Sequence, residues 1–82
     1  MKAWEIIERD GWCQGELHSK EGKHCILGAI GLVCGQDALL DICKVGRILK
    51  TEGGGIIILP VWNDMPGRTK EEVVAVLKKA DV

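Results

Sequence analysis

Cys25 stands where a thiol could do chemistry. The apolar run Ile26–Gly35 that follows it reads as a helix, so the sulfur would sit at a helix N-terminus, where the dipole favours the thiolate. His24 or His18 would serve as its base, Gln14 as a donor to an oxyanion, and Asn63 or Asp64 as the group that orients the histidine. The same parts have a plainer reading. Cysteine is often simply buried, and loop histidines and polar turns are common in inert proteins, so geometry must decide.

A metal centre is the second chemistry the residues raise. Cys13, His18, His24 and Cys25 are all suitable zinc ligands. Their order lacks the C-x-x-C and H-x-x-x-H spacings, and adjacent His24 and Cys25 would hardly face one ion. No metal and no cofactor is expected. Gly53-Gly54-Gly55 lacks the following Lys-Ser/Thr of a phosphate loop, and Gly28-x-x-Gly31 lies within an apolar run.

Binding is the third. Trp12, Gln14 and Gly15 crowd one short segment, and Trp62, Asn63, Asp64, Arg68 and Thr69 crowd another. Asn and Asp stabilise turns through their own backbone, and Thr69 with Glu72 forms a capping box, which accounts for much of the second segment. Two tryptophans beside amide side chains would nevertheless make an apolar pocket with a few polar groups. Its expected lining is Trp12, Gln14, Gly15, Cys25, Gly28, Trp62, Asn63, Asp64 and Arg68.

The elements that must position these residues follow from periodicity. Ala3–Arg9 reads as an amphipathic helix with Ala3, Trp4 and Ile7 inward and Gly11 as its stop. Polar Glu16–Lys23 contains a Glu21-Gly22 turn, which would let Cys13-Gln14-Gly15 pair with Lys23-His24 as a short hairpin. The central helix carries Ile26, Ala29, Ile30 and Val33 on one stripe and Gly28, Gly31 and Gly35 on another. A glycine within a helix costs about 1 kcal/mol relative to alanine, so this bare stripe implies a close approach by a neighbour, a ligand or a second chain.

A helix capped by Gln36 or Asp37 would run to about Lys50, with Leu39, Ile42, Cys43, Gly46 and Leu49 inward. Thr51–Gly55 reads as a break and Ile56–Trp62, with Pro60 in it, as an extended segment along the core. A last helix begins at the Thr69 capping box and buries Val73, Val76, Leu77 and Ala80. Lys78 and Lys79 suit its negative end. The expected fold is one mainly α domain over residues 1–82, of about four helices with a short extended segment or small hairpin.

Composition sets the outer limits. The chain has 82 residues, a net charge of -1 with acids and bases interspersed, and no Phe or Tyr, so Trp4, Trp12 and Trp62 are its only aromatic carbocycles. There is no basic footprint for nucleic acid or for an anionic membrane surface. The N-terminus lacks the apolar core of a signal peptide and the longest apolar runs are too short to span a bilayer, so a soluble cytoplasmic chain with reduced thiols is expected.

The combination Gly11-Trp12-x-Gln14-Gly15, Cys25-x-x-Gly28-Ala29-Ile30 and Trp62-Asn63-Asp64-x-Pro66-x-Arg68-Thr69-x-x-Glu72-Val73 resembles a family of small uncharacterised proteins of actinobacteria and phages. The resemblance spans nearly the whole chain. It implies a compact helical domain with no assigned activity, and it stresses these motif residues over Cys13, His24, Cys34 and Cys43. The reading that follows is a non-enzymatic binding or regulatory module, phage-associated, that sequesters a small molecule or binds a protein and has a glycine face suited to a homodimer. The alternatives are a thiol enzyme using Cys25 with His24 or His18, and a small zinc protein.

Overall fold

A computed structural model describes residues 1–35, 38–53 and 58–82. Its helices are α1 (Ala3–Asp10), α2 (Ile26–Cys34), α3 (Ala38–Gly53), α4 (Leu59–Asn63) and α5 (Lys70–Ala80). The fold is mainly α, as expected. α1 packs on α2, α2 on α3, α3 on α5 and α5 back on α1, so four helices close a ring, and short α4 lies against α2. Ile7, Ile26, Ile30, Val45, Val73 and Leu77 fill its centre and are fully buried. Removing that much aliphatic surface from water is the main stabilising term, at roughly 1.5–3 kcal/mol for each side chain of this size.

Helix ends follow the local chemistry. The Cys25 sulfur caps α2 by accepting from the Gly28 amide. Thr69 and Glu72 exchange the reciprocal bonds of a capping box at the start of α5. Gly11 ends α1 with φ at 101°, a conformation side chains resist. The last residue is also used: Val82 is buried, and its carbonyl accepts from Trp4 at the start of α1.

Four expectations change. His24 does pair, but with two segments at once: its backbone donates to Gly11 and accepts from Cys13 on one side, and bridges antiparallel to His18 on the other. The reversal at Gly22 therefore makes Leu17–Ser19 the antiparallel hairpin arm beside Lys23–Cys25, while the Trp12–Cys13 segment runs parallel to His24 on its other side. α3 continues through Thr51–Gly53, whereas Gly54, Gly55, Ile56 and Ile57, like the candidate caps Gln36 and Asp37, lie outside the described residues.

Pro60 opens α4 instead of lying in an extended segment. In a first helical turn the missing N–H has no partner to lose and the fixed φ already suits the helix. The inner stripe of α3 is also displaced: Val45 and Leu49 are buried and Ala38, Ile42 and Ile48 pack on the core, while Leu39 and Cys43 are exposed. Two overlapping apolar stripes are available on this helix. Contact with both α2 and α5 selects the one through Val45.

Candidate functional site

Asn63, the last residue of α4, is fully buried and organises the two motif-rich segments around itself. Its Oδ1 accepts from Trp12 Nε1 at 2.7 Å and from the Ile26 amide at 2.9 Å. Its Nδ2 donates to the Cys13 carbonyl at 3.1 Å and to Asp64 Oδ1 at 3.0 Å. A carboxamide has two donor hydrogens and two acceptor lone pairs, and all four are used. One side chain thus ties the first loop, the start of α2 and the end of α4 together.

A second tier surrounds it. Gln14 Nε2 donates to the carbonyls of Asn63 and Met65 at 3.0 and 3.2 Å. The Gly15 amide donates to Asp64 Oδ1 at 3.0 Å, and this bond, with that from Asn63, holds the Asp64 carboxyl below the usual carboxylate range. Arg68 lies over the Trp62 ring at 4.0 Å, donates from Nε to the Trp62 carbonyl and pairs with Glu72 at 2.7 Å. That pairing, chiefly, lowers the Glu72 pKa. The expected residues Trp12, Gln14, Gly15, Asn63 and Asp64 therefore meet directly, and Trp62 and Arg68 stack beside them.

Gly28 answers the question raised by the bare stripe of α2. A Cβ there would collide with the Leu17 carbonyl and press on the His18 ring. The close neighbour is thus the 15–19 loop of the same chain. Gly31 meets nothing within 4 Å, and Gly35 is the C-cap with φ at 55°.

Cys25 is buried, with its sulfur committed to the cap. His24 Nε2 lies 2.8 Å from Asp10 Oδ2, and His24 Nδ1 lies 2.8 Å from His18 Nδ1, so neither nitrogen of His24 is free for the thiol. Sequence reasoning missed Asp10. The available signal was an acid in the last turn of α1, where the dipole is unfavourable to it and a cationic or hydrogen-bonding partner is called for. Among the described residues no group of three His, Cys, Asp or Glu side chains is placed to hold a metal ion.

Where the two segments meet, Gly15, Glu16, Leu17, Cys25, Pro60 and Asp64 line a cleft of about 200 Å³. Three of these, Gly15, Cys25 and Asp64, were expected in a pocket; Glu16, Leu17 and Pro60 were not, and the expected Trp12, Gln14, Gly28, Trp62, Asn63 and Arg68 do not line it. Among the described residues, larger hollows of about 530 and 450 Å³ lie elsewhere among mostly charged side chains, including Glu8, Lys70, Glu71 and Lys78 for the first and Lys2, Glu5, Asp41, Lys44 and Asp81 for the second. Beside the cleft, Ile58, Val61 and Met65 recur at i, i+3 and i+7 and are 62%, 62% and 47% exposed; Leu17 is 51% exposed.

Fold and site together define a small helical domain in which an asparagine-centred clasp frames a shallow apolar cleft. The model of a family of unknown function, DUF6197, matches residues 1–81, and the chain belongs to that family. No curated protein and no solved structure matches it. Among the described residues no helix is long and apolar enough to cross a membrane.

Proposed function

We propose that the chain is a non-enzymatic regulatory module that binds a protein through the cleft and the outer face of α4. The observation that carries this reading is the exposed apolar group of Leu17, Ile58, Val61 and Met65 beside a cleft that the clasp residues Gly15 and Asp64 border. Such a group on a small chain marks an interaction surface. A cleft of about 200 Å³ falls below the roughly 300–1,000 Å³ of small-molecule sites but suits one anchoring side chain. Glu16 and Asp64 on its rim favour an aliphatic anchor flanked by Lys or Arg. The free thiols of Cys13, Cys25 and Cys43 fit a reducing cytoplasm, and a host protein as partner fits the resemblance to phage-encoded proteins.

A photo-crosslinking residue in place of Val61 tests this in cells. A discrete heterologous adduct is expected, lost on Leu17→Asp and kept on Leu39→Asp, with none from a crosslinker at exposed position 75. Adducts of twice the chain mass alone would point to a homodimer instead, and no adduct would end the proposal.

A further inference from the structure

Asp10, His24 and His18 form a continuous line of contacts from the end of α1 to the surface. Arg9 forks onto Asp10 with two bonds of 2.8 and 2.9 Å, and His24 Nε2 meets the same carboxylate at 2.8 Å. The two imidazoles meet edge-on, at an interplanar angle of 81°, because His18 and His24 are an antiparallel bridge pair whose side chains share one face. His24 is buried and His18 exposed. The His18 ring rests against the bare backbone at Gly28, which fixes its position.

With both imidazoles neutral, hydrogen-bond chemistry fixes the tautomers. Asp10, held well below the usual carboxylate range by Arg9 first and His24 second, is an acceptor, so His24 Nε2 carries a proton and donates. Neutral His24 consequently presents a lone pair at Nδ1. His18 Nδ1, 2.8 Å away, must donate to it, which leaves the His18 proton on Nδ1 and a lone pair on Nε2. Among the described residues His18 Nε2 has no hydrogen-bond partner.

We propose that Asp10 and His24 are positioning residues that make His18 Nε2 a nucleophilic surface site for an activated acyl group. The Nε2 lone pair attacks the acyl carbon and the bond to the leaving group breaks, the leaving group departing with its electron pair. The bridging proton crosses from His18 Nδ1 to His24 Nδ1, so the product is a neutral acyl-imidazole. The positive charge rests on His24 beside Asp10. Before the step the cluster offers an incoming phosphoryl dianion no spare cation, since Arg9 is matched to Asp10 and His24 gains its charge only as the proton crosses, so a neutral acyl donor is favoured.

Diethyl pyrocarbonate is the probe. His18 of the intact chain is expected to be carbethoxylated several-fold faster than N-acetylhistidine amide at the same pH, with Asp10→Asn slowing it and His18→Gln removing that adduct. Phosphoramidate is expected to leave His18 unmodified. Long-range ¹H–¹⁵N spectra of the unsubstituted protein read the relay without any variant: His18 should be the Nδ1–H tautomer, with a scalar coupling between the two Nδ1 atoms. An Nε2–H His18, a rate equal to or below that of the free amide, an Asp10→Asn rate unchanged in a folded protein, or phosphorylation in place of acylation would each overturn the proposal.

Discussion

Trp12 Nε1 donates to Asn63 Oδ1 at 2.7 Å across 51 positions of the chain. The amide receives this bond where water is excluded, so the indole fixes both the loop that carries Gln14 and the helix end that carries Asp64.

Replacing Asn63 should therefore be costly. Asn63→Ala strands the Trp12 and Ile26 donors and the Cys13 carbonyl, and a buried group left unsatisfied costs about 1–3 kcal/mol. A loss of about 3 kcal/mol or more is expected by urea denaturation followed by tryptophan fluorescence, large for a domain of this size. A midpoint near that of the unsubstituted chain would mean that the clasp is not closed in solution.

Two glycines on the same helix should respond oppositely to alanine. Gly31→Ala meets open space and should raise stability by up to about 1 kcal/mol through helix propensity. Gly28→Ala drives a methyl into the Leu17 carbonyl and should lower stability despite the same propensity gain. Thermal melts of the two variants decide it, and equal shifts would contradict the loop crossing at Gly28.

Acid should loosen the clasp and the α5 cap together. The Asp64, Glu72 and Asp10 carboxyls are all depressed in the folded chain from ordinary values of 3.8, 4.5 and 3.8. Depressed carboxyls stabilise the fold fully above their unfolded values, and this is lost as pH falls through the folded ones. Melting temperature should drop as pH falls below about 4.5, and Glu72→Gln should flatten the upper part of that decline.

Thiol accessibility separates a cap from a nucleophile. Cys43 is exposed and Cys25 buried, so a disulfide reagent at neutral pH should label Cys43 quickly and Cys25 only as the chain opens, as read by mass spectrometry of the peptides. Fast labelling of Cys25 would restore the case for thiol catalysis.

Much of this was legible before folding. The stop at Gly11, the reversal at Gly22, the start of α2 at Cys25 and the capping box of α5 are local events, decided by residues within one turn of each other. The buried stripes of α2 and α5 also follow from period alone, because each helix offers one dominant apolar face. α3 offers two, and α4 is too short for a period to show, so both needed their neighbours.

The site divides the same way. Residue types alone indicated that the Trp12–Gly15 and Trp62–Arg68 segments belong together, since so many side chains with hydrogen-bonding tips are not needed in plain connectors. Only the folded chain decided that Asn63 uses all four of its bonds internally, that the Leu17 carbonyl covers Gly28, and that Asp10 reaches His24. Those facts depend on distances of about 3 Å between groups far apart in sequence, and hydrogen bonds weaken too steeply with distance and angle for composition or spacing to foretell them.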